Sequence, residues 1–144
     1  MQREKVNIII RDYKPSDYAQ VAANLKDADM LHLPWDSEEN LNRKHERDPH
    51  LILVATVDDK IVGSLFIMED GWSAFMYRLA VEKYHRGKGV GSAIIEAAEK
   101  LVKQRGVNEI HLWVDQTDKI LVNFYKKRDY SSSVTRLLMT KKLK

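Results

Sequence analysis

The 144-residue sequence contains no cysteine, and this absence removes several kinds of chemistry at once. Without thiols the chain forms no disulfides, no thiolate metal sites and no cysteine nucleophile. The five histidines are scattered along the sequence, and no two have the spacing of a metal-binding pair. We therefore expect no metal ion, and the lack of cysteine suits a reducing compartment.

Long apolar runs are absent too. The run Leu51–Val57 is far too short to cross a bilayer. The charged start, Met1–Lys5, does not resemble a signal peptide. The formal net charge is only +3, from 24 basic and 21 acidic residues, which does not favour a nucleic-acid partner. We expect a cytoplasmic protein of one domain, residues 1–144, without a membrane partner.

Apolar periodicity alternates along the chain between the spacing of strands and that of helices. The predicted order is β-α-α-β-β-β-α-β-α-β, which indicates a mixed sheet with helices on its faces. In Trp72–Val81 the alternation predicts one strand face that carries Phe75, Tyr77, Leu79 and Val81. The other predicted elements are strands over Asn7–Arg11, Leu51–Val57, Lys60–Met68, Glu109–Val114 and Val134–Met139, and helices after Asp17, over Ser37–Glu46, before Gly106 and over Asp118–Lys127.

Glycine is scarce, with six in the chain, yet Gly87, Gly89 and Gly91 follow one another at alternate positions. They stand between the predicted strand ending at Val81 and the predicted helix before Gly106. Glycine allows a positive φ and a close approach of the backbone to a ligand. A helix N-terminus adds unpaired N–H groups and the positive end of the helix dipole. The sequence therefore predicts a phosphate-binding loop here.

The spacing of the loop separates it from other phosphate loops. The P-loop pattern G-x-x-x-x-G-K-[ST] fails, since Lys88 and Ser92 stand at the wrong positions. The dinucleotide pattern G-x-G-x-x-G also fails, because its third glycine would be Ser92 or Ile94, and a hairpin precedes the loop. The pattern R/Q-x-x-G-x-G/A matches Arg86–Gly91 at every specified position.

With this loop the chain resembles the GNAT superfamily of N-acetyltransferases. Leu79–Val81 resembles the strand that the family places before its loop, and Phe124–Lys127 resembles a later helix that often has the sequence F-Y-x-K. Ile10–Asp17 resembles the family's opening strand and turn, so the resemblance covers nearly the whole chain. The sequence departs from the usual family residues at Lys83, Asp118, Leu121, Asp129 and Tyr130.

The resemblance implies an α/β fold with a central mixed, splayed sheet flanked by helices. It also implies acetyl-CoA as cosubstrate, with its pyrophosphate on the loop amides and its pantetheine along the strand before the loop. The residues that it assigns to acetyl-CoA are Leu79, Ala80, Val81, Arg86, Gly87, Lys88, Gly89, Val90, Gly91, Ser92 and Phe124.

The implied reaction is acyl transfer from a thioester to a primary amine. Such a reaction needs an acid for the departing thiolate and a neutral amine. The resemblance assigns the acid to Tyr125. Some relatives carry a glutamate in the strand before the loop, but residues 73–81 contain no acid. Glu82, acting through water, is the candidate for the base, and Asp115, also through water, is an alternative. Loss of the amine proton directly to solvent is a further alternative.

The acceptor site is implied for the segment between the first two helices, Asp29–Asp36. Within it, His32, Trp35 and Asp36 offer an imidazole, an aromatic ring and an acid for a cationic amine. Packing of Leu31, Leu33 and Trp35 onto the sheet is an equal alternative. The sequence does not identify the acceptor.

Two other functions remain open from the sequence. One is a non-catalytic acyl-CoA-binding or sensing module on the same fold, favoured by the missing strand acid. The other is a nucleotide or nucleic-acid binder that uses the basic cluster Lys141, Lys142 and Lys144. An exposed last strand would also allow two chains to pair as a homodimer.

Overall fold

The computed structural model describes residues 6–133 and 136–144. The chain divides between Leu112 and Trp113 into two compact units. That residues 1–144 form one domain stays a prediction.

A mixed five-stranded sheet forms the centre of the first unit. Its strands follow the chain in the order β1-β2-β3-β4-β5. The first four are antiparallel, whereas β5 runs parallel to β4. The prediction of an α/β fold with a mixed sheet is confirmed. The strands are β1 (Ile9–Asp12), β2 (Ile52–Val57), β3 (Lys60–Glu69), β4 (Ala74–Val81) and β5 (Ile110–Leu112).

Helices α1 (Tyr18–Asp27) and α2 (Glu38–Arg47) pack on one face of this sheet. Ser37 caps α2, because its Oγ accepts a hydrogen bond from the Asn40 N–H at 3.2 Å. The two helices and this face share a buried cluster, which makes the face a well-packed support. The cluster consists of Tyr13, Val21, Leu25, Leu41, Ile52, Val54, Ile61, Phe66 and Ala80.

Helix α3 (Val90–Gln104) packs on the opposite face. A Cβ at Gly63 would lie 2.8 Å from Ile94 Cδ1, so this glycine permits the close approach of α3 to β3. The helix ends at Gln104, and Gly106, two residues later, has a φ of 82° that supports a Schellman motif. In that motif the Gly106 N–H donates to the Lys103 carbonyl, and the Val107 N–H donates to the Val102 carbonyl. The helix predicted between the glycine loop and Gly106 is confirmed.

A bulge interrupts β4, and here the sequence prediction was wrong. Leu65 of β3 faces two residues of β4, since Phe66 pairs with Tyr77 and Ser64 pairs with Ala80. The extra residue is Arg78, at a φ of 56°. It shifts the alternation by one, so that Tyr77 and Ala80 share a face. The predicted face of Phe75, Tyr77, Leu79 and Val81 is therefore split.

Two predicted strands differ from the structure. The strand predicted over Glu109–Val114 is only Ile110–Leu112. Of the strand predicted over Val134–Met139, residues 134 and 135 lie outside the described residues, and residues 136–139 are not in a strand.

The second unit contains α4 (Lys119–Lys126). Asp118 caps this helix, because its Oδ1 accepts a hydrogen bond from the Leu121 N–H at 3.0 Å. The helix predicted over Asp118–Lys127 is thus confirmed. Within residues 6–133 and 136–144, every helix is too short or too polar to cross a bilayer.

Candidate active site

The loop between β4 and α3 depends on two glycines for its backbone path. Gly87 has a φ of 73°, and Gly89, the N-cap of α3, has a φ of 89°. A Cβ at either position would meet nothing within 4 Å. Glycine is therefore needed for the positive φ and not for packing, and the space in front of the loop is open.

The N-terminus of α3 points its first amides out of the helix. The first hydrogen bond of the helix runs from the Ala93 N–H to the Gly89 carbonyl at 3.0 Å. The amides of Val90 and Gly91 precede this bond and find no acceptor within the helix. Together with the helix dipole they form a site suited to an anion.

Two exposed cations, Arg86 and Lys88, flank the glycines. Arg86 Nε donates to the Val81 carbonyl at 2.9 Å, which keeps the guanidinium beside the end of β4. Two cations next to a helix N-terminus match the charge of a diphosphate.

The end of β4 presents an open edge. Strand β5 pairs only with Ala74–Met76, so from Tyr77 to Val81 this edge has no strand partner in the described part of the chain. The Glu82 N–H donates to the Val62 carbonyl of β3 at 2.7 Å. Because peptide groups alternate in direction along a strand, those of Val81 turn toward the open edge. An extended molecule can pair here with the Val81 N–H, whereas the Val81 carbonyl already accepts one hydrogen bond from Arg86 Nε.

The structure thus brings together the residues that the sequence assigned to the donor within the first unit. The backbone of Leu79–Val81 is followed by a short 3-10 helix, Lys83–His85, and then by the loop of Arg86–Gly89. Val90, Gly91 and Ser92 form the first turn of α3. Phe124 and Tyr125 belong to α4 in the second unit.

Tyr125 is the buried residue of α4, with its side chain among aromatic rings. The rings of Phe124 and Tyr130 lie 5.1 Å and 5.4 Å from it, centroid to centroid. Burial raises the pKa of Tyr125 to about 12, and Arg128 opposes this only in part. The phenol is therefore protonated at neutral pH.

Glu82 is already engaged in local hydrogen bonds. Its Oε2 accepts from the Tyr84 N–H at 3.2 Å and lies 2.6 Å from His85 Nδ1. The hydrogen bond with His85 lowers the pKa of Glu82, and a hydrogen bond from Thr117 likewise lowers the pKa of Asp115. Both carboxylates therefore bind a proton less readily than an unperturbed one.

The predicted acceptor residues differ in what they offer. Asp36 is buried, and its Oδ2 accepts hydrogen bonds from Arg78 Nε at 3.1 Å and from the His32 N–H at 2.9 Å. The negative charge of Asp36 is thus paired with the guanidinium of Arg78, the bulge residue of β4. Trp35 is 71% exposed and lines a cleft together with Asp36, whereas His32 does not line it.

This cleft, which we call the α2 groove, lies between α2 and the sheet face that carries Phe66. Its volume is about 700 Å³, and its lining includes Phe66, Met68 and Tyr77 from the sheet. Sequence reasoning missed the α2 residues that line it: Asn40, Leu41, Arg43, Lys44 and Arg47. The signal was present, because spacings of three and four residues share one side of a predicted helix.

No group of three or more His, Asp or Glu side chains is arranged to hold a metal within residues 6–133 and 136–144.

Residues 11–130 match the family described as Acetyltransferase (GNAT) family. The chain is similar to an acetyltransferase of Sodalis glossinidius, with 34% identity over 93% of this chain and 94% of the relative. Its fold is similar to that of Ard1 from Thermoplasma volcanium, with a TM-score of 0.80, 23% identity and coverage of 90% and 86%. It is also similar to the PaiA N-acetyltransferase of Thermoplasma acidophilum in complex with coenzyme A, with a TM-score of 0.72, 23% identity and coverage of 85% and 88%.

Proposed function

The chain belongs to the acetyltransferase (GNAT) family, and we propose that this acetyltransferase transfers an acetyl group from acetyl-CoA to the nitrogen of a primary amine. The loop at residues 86–91 carries this proposal. Gly87 and Gly89 hold a positive φ, and their open side faces no other group within 4 Å. A phosphate would there meet the amides of α3 and the charges of Arg86 and Lys88.

The open edge of β4 supports the same donor. The amide part of pantetheine is extended and polar, so it would pair with the backbone of Leu79 and Val81 as an added strand does. Ala80 would turn its peptide groups toward β3 instead, since it pairs with Ser64. Binding along this edge would place the thioester carbonyl near the β4 backbone, whose N–H groups stabilise negative charge on the oxygen.

The transfer forms one bond and breaks another. The amine lone pair attacks the thioester carbonyl carbon, so that a C–N bond forms. The C–S bond then breaks and its electron pair leaves on sulfur. The amine gives up one proton, and the thiolate takes one.

Tyr125 is proposed to supply the proton to sulfur. A pKa of about 12 keeps this phenol protonated over the pH range in which the amine becomes neutral. The proton from the amine is proposed to pass to water, with Glu82 as the nearby carboxylate that follows β4. Because Glu82 is already engaged in hydrogen bonds with Tyr84 and His85, we assign it only a minor role as a base.

Two measurements test the proposal. In thermal unfolding, acetyl-CoA at about 100 times its Kd is expected to stabilise the protein by about 2.7 kcal/mol, and ADP by much less. In the second, thiol release is followed over a panel of primary amines. No stabilisation by millimolar acetyl-CoA would contradict the donor site, and stabilisation without thiol release from any amine would contradict the transfer. A cytoplasmic location of the protein stays a prediction from the sequence.

A further inference from the structure

The α2 groove has an uneven distribution of charge. Each of its three carboxylates lies within salt-bridge distance of an arginine. Arg78 Nε is 3.1 Å from Asp36, and Arg105 Nη1 is 2.5 Å from Asp48 and 2.9 Å from Glu69. Each acidic side chain of the groove is therefore already paired with an arginine of the protein, although Asp48 and Glu69 share Arg105.

The cations of α2 have no such partners. Among the described residues, no carboxylate lies within 4 Å of the charged groups of Arg43, Lys44 or Arg47. Arg43 makes only a long contact of 3.5 Å to Asn40 Oδ1, and Lys44 donates to the Ile67 carbonyl. The groove thus keeps a positive charge that the protein itself does not balance.

The spacing of these cations gives a second reason to assign them a role. Arg43 and Arg47 are four residues apart on α2, where like charges repel and weaken a helix. Lys44 and Arg47 lie in the last turn, where the helix dipole favours cations, but Arg43 lies before it. Glu39 stands four residues before Arg43, in the order that favours a helix, but it makes no ion pair with Arg43 within 4 Å. Both Arg43 and Arg47 line the groove instead.

The groove also reaches the reacting end of β4. Tyr77 and Arg78, at the bulge, line it, and the open edge of β4 begins beside them. Its volume of about 700 Å³ lies in the range of sites for small molecules or short peptides. A molecule that extends from α2 to the bulge would contact Phe66 and Tyr77 between its two ends.

We propose that the α2 groove selects an acceptor that carries an anionic group, a carboxylate or a phosphate, in addition to its amine. Arg43 and Arg47 bind the anion, while the amine points toward the bulge of β4. This inference rests on the proposed acetyl transfer and narrows its acceptor. It excludes polyamines and other purely cationic amines as preferred acceptors, because α2 would repel them.

The test compares matched amines with and without an anion. The pairs are phenylalanine and phenylalaninamide, 4-aminobutyrate and its amide, and O-phosphoethanolamine and ethanolamine. For each pair, kcat/KM is measured by thiol release with the full chain. We expect the anionic member of at least one pair to be favoured by about tenfold or more, because hydrogen bonds to charged groups contribute that much. The pair with the largest ratio distinguishes carboxylate from phosphate.

Two double variants that remove the same number of positive charges distinguish the effect of the groove from that of the overall charge of the protein. Arg43→Gln with Arg47→Gln should bring the ratio close to one. Lys100→Gln with Lys103→Gln, two exposed positions on α3, should leave it unchanged. Arg43→Glu with Arg47→Glu should reverse the preference toward cationic amines.

An equal ratio in the wild type and in the Arg43/Arg47 variants, with turnover retained, would overturn the inference and leave the proposed transfer intact. If no amine is acetylated, the transfer itself fails, and calorimetry of the same acids and amides then tests the groove. Anion-dependent binding that is lost in Arg43→Gln with Arg47→Gln supports the inference, and equal binding of acids and amides overturns it.

Discussion

The glycine loop and the α2 groove lie in the same unit of the chain, yet they are built by different means. The loop is contiguous in sequence, and its binding groups are mostly backbone amides at a helix end. The groove combines side chains from α2 with side chains from the hairpin of β3 and β4, which follows later in the sequence. A site made of backbone in a short segment leaves a pattern of glycines. A site made of side chains from several elements leaves only partial signals, such as the spacing of the α2 residues, and no single motif.

The two regions also differ in how their charges are balanced. Arg86 and Lys88 of the loop project next to a helix N-terminus that is itself positive. In the groove each carboxylate pairs with an arginine, whereas the α2 cations have no carboxylate within 4 Å among the described residues. Both regions thus favour anions, and the comparison predicts that each can be disabled while the other still works.

The largest expected effect separates both binding regions from the chemical step. Tyr125→Phe removes the proposed acid, so kcat should fall by about 10²–10⁴-fold. Affinity for acetyl-CoA should stay within about twofold, since neither the loop nor the groove is altered. Steady-state kinetics and calorimetry measure the two quantities.

Tyr84→Phe is the matched control for this change, because it removes an exposed hydroxyl beside the loop. Its kcat should equal that of the wild type. A Tyr125→Phe enzyme with full turnover would remove Tyr125 from the mechanism.

The next prediction concerns how much the ion pairs of the groove contribute to the stability of the protein. Arg105→Gln leaves the carboxylates of Asp48 and Glu69 without their shared partner. We expect the free energy of unfolding to fall by about 1–3 kcal/mol, because Glu69 is largely buried. Urea denaturation measures this change, with Lys103→Gln at the same helix end as control.

The pH dependence of stability should differ between the wild type and Arg105→Gln because of the pKa of Asp48. The hydrogen bond from Arg105 lowers the pKa of Asp48. A carboxyl whose pKa is lowered in the folded state contributes stability above its unfolded pKa of about 3.9 and loses it as the pH falls through the folded pKa. Wild-type stability should therefore drop below about pH 4, and this drop should be smaller in Arg105→Gln. Identical acid profiles would show that the pair contributes nothing.

A smaller effect is expected from a single cation of the loop. Arg86→Gln should weaken acetyl-CoA binding by about tenfold, because one charge-assisted hydrogen bond is lost. Stability should change by less than about 0.5 kcal/mol, since the side chain is exposed. Calorimetry with Lys100→Gln as control checks this, and equal affinities would place the pyrophosphate elsewhere.

The sequence predicted the elements whose signals are local. The apolar periodicity of α3 and the turn at Gly106 both follow from short stretches, and the structure agrees. The strand Ile110–Leu112 was predicted too long, because alternation alone does not show where pairing with β4 ends.

The sequence did not predict features that depend on tertiary contacts. The bulge at Arg78 breaks the alternation of β4 without any glycine or proline to mark it. The pairing of Asp36 with Arg78 joins residues far apart in sequence. The cations of α2 were visible in sequence, but their role depends on which carboxylates Arg105 neutralises.

The most direct test of the account is acetyl-CoA binding by Gly89→Ala and Gly71→Ala. Both glycines have a positive φ, 89° and 84°, so alanine costs each a similar strain of about 1–2 kcal/mol. Only Gly89 lies in the proposed pyrophosphate site. The account predicts that Gly89→Ala weakens acetyl-CoA binding by at least about tenfold, as the added methyl group disturbs a diphosphate contact, while Gly71→Ala binds as the wild type does. Equal affinities for all three proteins would contradict the assignment of the loop.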